Sequence, residues 1–132
     1  MKKSFLTAVS VAAILFLAMA SWQAKAATGG PINISDSEFS QAVLHSSSPV
    51  VVEFWSPTCP HCLKMANNVD LLASDLAGRV KVAKINVLDN RFLTWKYGVK
   101  VVPTFMLFKN GAVAAKASGE MAEPELKKEL GI

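Results

Sequence analysis

The chain has 132 residues, 52% of them hydrophobic and 18% charged, with a formal charge of +4. That apolar content excludes a disordered chain, and the length leaves room for one folded domain. Lys2, Lys3 and Lys25 sit in a front segment without acidic residues, so residues 27–132 carry only +1 and lack the basic excess that a nucleic-acid-binding face needs.

The front segment has its own logic. Lys2 and Lys3 give a positive start, Phe5 to Ala20 is apolar except for Thr7 and Ser10, and Ala24-Lys25-Ala26 fits a small-residue cleavage site. This pattern predicts a secretory signal peptide over residues 1–26, removed to leave a single domain over 27–132. Ala18-Met19-Ala20 is the weaker cleavage site. The apolar run is shorter than the roughly 20 residues that span a bilayer, which makes an uncleaved membrane anchor the lesser alternative. The expected location is periplasmic or secreted, where thiols meet oxidants.

Thr28-Gly29-Gly30-Pro31 reads as a flexible lead-in. Ile32 and Ile34 flank Asn33 as a short first strand. Ser35-Asp36-Ser37-Glu38 has the S-x-x-E form of a capping box, so a helix is expected to start there and carry Phe39, Ala42 and Val43 inward. After Pro49, Val50 to Trp55 is apolar except for Glu53, the signature of a strand covered on both faces. Ser56-Pro57-Thr58 is a turn. From Cys59 a helical pattern places Met65, Val69, Leu72 and Leu76 on one face, with Gly78 as its stop. Val80 to Val87 is the next strand. Asp89 or Asn90 caps a short helix that runs through Tyr97 to Gly98. Val99 to Pro103 is a loop. Thr104 to Phe108 and Ala112 to Ala117 form a hairpin about Asn110-Gly111. Pro124 opens a last helix that buries Leu126 and Leu130. The order β-α-β-α-β-α-β-β-α defines an α/β fold with a central mixed sheet and helices on both faces.

The chain has two cysteines, Cys59 and Cys62, three apart. A bridge that short closes almost no loop and adds little stability, so chemistry explains the pair better than stapling does. Both stand at the start of a helix that follows a buried strand. Unpaired N–H groups and the positive end of the helix dipole favour a thiolate at Cys59. Pro60 suits a first turn that needs no N–H. His61 would set a donor beside the sulfur, favouring the reduced form and making the oxidised pair a stronger oxidant. The alternative for His61 is an ordinary exposed helix residue. C-x-x-C can also be half of a zinc site, but there is no second pair, and His45 is the only other histidine. No metal site is expected.

Five segments together resemble the thioredoxin family, over Ile32 to Leu130. They are Val50 to Trp55, Cys59-Pro60-His61-Cys62, Val82 to Val87, Tyr97 to Thr104 and Leu107 to Gly111. The resemblance implies the thioredoxin fold, with Pro103 as a cis-proline facing the disulfide and Val102 offering backbone hydrogen bonds to a substrate strand. On the sequence alone Pro103 could equally be a trans proline opening a strand. Glu53 matches a buried carboxylate of the family, whose pKa burial would raise. That makes it a proton acceptor for Cys62, with Lys84 as its partner. The alternative is a solvent-facing Glu on an edge strand. Trp55, Thr58, Val102 and Pro103 would form an apolar docking patch around Cys59.

The sequence departs from ordinary thioredoxins at Thr58, where the family carries Trp, and at Pro60-His61, where it carries Gly-Pro. Asn67 replaces a kinking proline and Val101 a common glycine. The Cys-Pro-His-Cys tetrad is instead similar to that of the exported DsbA-type oxidases, although no inserted helical domain fits between Asn86 and Val102. The reading is a thiol–disulfide oxidoreductase acting on protein thiols or disulfides, with the direction of electron flow open. It needs no cofactor beyond the Cys59–Cys62 pair. The expected protein is a monomer, recharged by an unidentified redox partner that could lie in the membrane. A soft-metal carrier and a non-catalytic interaction module are the alternatives.

Overall fold

The computed structural model describes residues 29–132. The expected leader and both cleavage sites lie outside the described residues. The run of valines before the cysteines becomes β2 (Val50–Trp55), the middle strand of a five-stranded sheet. Its neighbours are β3 (Lys81–Asn86), parallel, and β4 (Thr104–Lys109), antiparallel. β1 (Ile32–Asn33) adds to β3 in parallel, and β5 (Ala112–Ser118) closes the other edge against β4. The order β1-β3-β2-β4-β5 is the mixed sheet expected from the alternation of elements.

Strand side chains alternate between faces, and β2 therefore feeds two cores. Val50, Val52 and Phe54 join Phe39, Val43, Ile85, Leu93 and Phe108 on one face. Val51 joins Met65, Val69, Leu72, Phe105, Leu126 and Leu130 on the other. The first face is covered by α1 (Asp36–Phe39, widening to a π-helix over Ser40–Leu44) and α3 (Arg91–Lys96). The second is covered by α2 (Pro60–Asp75) and α4 (Glu123–Leu130). Each large apolar side chain buried this way contributes roughly 1.5–3 kcal/mol.

The caps follow the sequence closely. Ser35 and Glu38 make the capping box, with the Ser35 N–H donating to Glu38 Oε2 at 2.8 Å. Pro124 lies in the first turn of α4, and Gly131 ends that helix with φ 71°. The π-helical widening of α1 departs from the regular helix expected there. The His45 N–H reaches back five residues to the Ser40 carbonyl at 3.0 Å, and the His45 ring Nδ1 lies 2.9 Å from the same oxygen. This holds the wide turn shut, which is a local arrangement that hydrophobic spacing does not encode.

The Asn110-Gly111 turn has positive φ at both residues, 50° and 77°, the twist that a two-residue hairpin needs. A Cβ at Gly111 would stand 3.0 Å from the Leu44 carbonyl oxygen. Gly111→Ala is therefore expected to cost about 1–2 kcal/mol from the left-handed backbone, plus the clash. Thermal unfolding should show a fall of several degrees. An unchanged melting temperature would mean that the turn relaxes freely.

Candidate redox-active site

The site begins where β2 ends. Ser56 is buried, and its Oγ accepts the Thr58 N–H at 3.2 Å while pairing with Thr58 Oγ1 at 2.9 Å. This Ser/Thr turn delivers the chain to Cys59, whose own N–H bonds the Ser56 carbonyl at 3.2 Å. Cys59 is the N-cap of α2, and Pro60 follows in the first helical turn. A capping side chain accepts from the free N–H groups of the first turn. Here the acceptor is sulfur: the Cys62 N–H donates to Cys59 Sγ at 3.2 Å. The helix end thus places a donor on the atom that must carry negative charge.

The two cysteines differ in access. Both are free thiols, with Cys59 partly exposed and Cys62 only 3% exposed. Burial, followed by the hydrogen bond with Cys59, pushes the Cys62 thiol up to about 12. Cys59 is therefore the thiol a partner can reach, and Cys62 is shielded from solvent.

The Val102–Pro103 peptide bond is cis. The Cys59 thiol donates to the Val102 carbonyl at 3.6 Å. Val102 and Pro103 line a groove of about 590 Å³ together with His61, Asn68, Gly119 and Glu120. The Thr104 hydroxyl donates to the Val101 carbonyl at 2.7 Å and braces the turn before β4.

Glu53 is 1% exposed and lies on the Val51 side of β2, the side covered by α2. Desolvation raises its carboxyl to about 7, against the pull of Lys84. Lys84 Nζ stands 3.8 Å from Glu53 Oε2, an ion-pair distance longer than a hydrogen bond, and that oxygen has no hydrogen-bond partner within the protein. Burial therefore outweighs the lysine. The negative charge of Glu53 is also felt at Cys62, where it adds to the upward shift.

Two residues lie elsewhere than the sequence suggested. Trp55 does not line the groove at Val102–Pro103. Its ring packs beneath Lys84 Nζ, 4.3 Å from the ring centroid, and it borders a second cavity of about 520 Å³ with Lys84, Asn86 and Asn90. It is the last residue of β2 and pairs with Asn86 of β3, whereas Val102 and Pro103 line the groove and Thr58 lies exposed in the turn before Cys59. His61 was expected to put its donor beside the sulfur. Its Nδ1 instead lies 2.9 Å from Glu120 Oε2, and Lys64 Nζ stands 3.8 Å from the same oxygen. The donor found at Cys59 Sγ is backbone, from Cys62.

Glu120 and Asn68 were not singled out by motif. A signal for Glu120 did exist. The hairpin pairs Thr104 with Ser118, so the residues after Ser118 must pass beside Pro103, and the Gly119 N–H does bond the Pro103 carbonyl at 3.0 Å. Among the described residues no cluster of three or more metal-ligating side chains is present, and no helix is long and apolar enough to cross a membrane.

A reachable thiol at a helix N-terminus, a buried second thiol three residues on and a groove beside them at Val102–Pro103 define a thiol–disulfide oxidoreductase, with the cysteine pair itself carrying the electrons. Comparison with known proteins identifies its kin. A thioredoxin family profile matches residues 30–131. The chain is 38% identical to a thioredoxin of Haemophilus influenzae over 95 residues, covering 72% of this chain and 89% of the relative. It is 39% identical to a thioredoxin of Pseudomonas aeruginosa over 95 residues, covering 72% and 88%. It is 37% identical to thioredoxin 1 of a Nostoc species over 97 residues, covering 74% and 91%. The chain belongs to the thioredoxin family.

Proposed function

We propose that this protein is an exported disulfide reductase of the cell envelope, acting as a monomer on protein disulfides. The observation that supports the direction is that His61 Nδ1 lies 2.9 Å from Glu120 Oε2, which leaves the Cys62 backbone N–H as the donor on Cys59 Sγ and the disulfide less oxidising than the tetrad suggests. The buried Glu53 carboxyl on the α2 side of β2, raised to about 7, is matched to take the Cys62 proton at neutral pH, and it serves the exchange in either direction.

The steps follow from the geometry. The Cys59 thiolate attacks one sulfur of a substrate disulfide lying along the Val102–Pro103 groove. That S–S bond breaks, one substrate thiolate leaves, and a mixed disulfide joins Cys59 to the substrate. Glu53 takes the proton of Cys62, directly or through water. The Cys62 thiolate then attacks Cys59 Sγ and expels the second substrate thiolate. The substrate has gained two electrons and leaves as two thiolates; one takes up the Cys62 proton from Glu53, the other takes from solvent the proton that Cys59 gave up on ionising, and the protein holds a Cys59–Cys62 disulfide. A dithiol partner in the envelope or its membrane must return the two electrons by the same exchange. The leader pattern of residues 1–26 supports the location.

The reduction potential of the pair against glutathione tests the direction. A value near thioredoxin's roughly −270 mV is expected, and one near the roughly −120 mV of DsbA would reverse the assignment to an oxidase. Fusing residues 1–30 to a reporter active only outside the cytoplasm tests export. A silent fusion would remove the envelope from the proposal.

A further inference from the structure

The loop after β5 is fixed from both sides. The Gly119 N–H bonds the Pro103 carbonyl at 3.0 Å, and Asn68 Nδ2 donates to the Met121 carbonyl at 3.1 Å. The Met121 N–H points to Met65 Sδ at 3.3 Å, and Met65 is fully buried in α2. Gly119 takes φ 99°, a conformation side chains disfavour, and so turns the chain at the groove wall. Glu120 is thereby held between the cis-proline turn and the first turns of α2. Its carboxylate meets His61 Nδ1 at 2.9 Å and Lys64 Nζ at 3.8 Å. The contact with His61 crosses 59 positions of sequence and ends on one of the two residues between the cysteines.

From this arrangement we infer that Glu120 is a positioning residue for the redox couple: it engages the His61 imidazole at the groove wall and so withholds its ring donor from Cys59. The physical reason is that a donor or cation near Cys59 Sγ stabilises the thiolate and hence the reduced form, which makes the disulfide more oxidising. Glu120 opposes this in two ways. It occupies the ring nitrogen that could turn toward the sulfur, and it sets a carboxylate against the positive charge that Lys64 brings to the helix start. The tetrad that suggests an oxidase is thus restrained by a residue 58 positions beyond Cys62. The inference rests on thiol–disulfide exchange at Cys59–Cys62.

The test is a redox titration of Glu120→Gln in the protein with residues 27–132, using oxidised and reduced glutathione. The reaction is balanced: dithiol plus oxidised glutathione gives the protein disulfide and two reduced glutathiones. Glu120→Gln should move the equilibrium about tenfold toward the dithiol, a potential roughly 30 mV less negative. The same substitution in a His61→Ala background should lose most of that shift, because the imidazole it releases is gone. An unmoved potential in Glu120→Gln, or an equal shift with and without His61, overturns the inference. A parent protein that shows no glutathione-dependent couple at all would overturn the exchange reading beneath it. Glu120 is 41% exposed on its side chain, so the variant should fold, and the Gln side chain preserves shape while removing charge.

Discussion

Cys62→Ser should turn the protein into a trap that holds its substrate through Cys59. The mixed disulfide forms because its only protein requirement is the accessible Cys59 thiolate, which accepts the Cys62 backbone N–H at 3.2 Å, a bond a serine backbone still makes. It then persists because the resolving sulfur is missing. Cys59→Ser should behave in the opposite way. The remaining thiol is 3% exposed and pushed up to about 12, so at neutral pH it is both unreachable and protonated. Turnover of a disulfide substrate such as insulin should fall to background in both variants. Only Cys62→Ser should give a covalent adduct on a non-reducing gel, released by dithiothreitol. Adducts from Cys59→Ser would exchange the roles of the two cysteines, and full turnover from either variant would remove the dithiol mechanism. The same pair of variants separates catalysis from simple binding, since a docking module would bind its partner equally well without Cys59.

Glu53→Gln should make the protein more stable and less active at slightly alkaline pH. Burial raises the Glu53 carboxyl from 4.5 to about 7 in the folded state. A folded-state pKa above the unfolded value means that the protonated carboxyl is the form the fold favours. Its contribution is fully present below about 4.5 and is lost as pH rises through about 7. The shift corresponds to roughly 3 kcal/mol lost by pH 8.5. The Gln variant carries a neutral side chain of the same shape at every pH, so most of that loss should disappear. Denaturant unfolding of both proteins at pH 5 and pH 8.5 measures it, and parallel behaviour would place Glu53 in a wetter site than its 1% exposure implies. The cost falls on the resolving step. Without the acceptor, attack by Cys62 should slow by on the order of a hundredfold. The wild-type rate should rise through pH 7, and the variant should lose that inflection. Lys84 belongs to the same argument, because removing it deletes the one charge that lowers the Glu53 carboxyl and should move the inflection upward.

Much of this arrangement could be read from the chain. The continuous apolar run of Val50–Trp55 and the capping box at Ser35 each named an element within a residue or two, because each is a local rule with a strong physical cause. The Asn110-Gly111 turn is legible for the same reason. Glu53 was legible as a polar interruption of a buried strand, and alternation alone sets it with Val51 on the α2 side. What escaped was determined by distance in sequence. His61 between two cysteines reads as a partner of sulfur, and nothing nearby announces Glu120. Trp55 was assigned to the docking patch by adjacency to the motif, whereas its place at the end of a strand turns it toward Lys84 and Asn86. The π-helical turn of α1 has no compositional mark at all.

The course of α2 gives the molecule two poles. Cys59 caps its first turn, while Gly29, where the described chain starts, packs beside Ala77 just past its last turn. Sixteen helical residues separate them, a span of about 24 Å. The three parallel strands agree, since β1 runs toward the same end of the sheet at which β2 releases the chain to Cys59. Whatever grips this domain by its front end, whether a bilayer, a fusion partner or a coated bead, grips the pole without chemistry. The dithiol then faces outward into solution, so fixing the protein by its N-terminal side should leave its encounters with large, folded clients unobstructed.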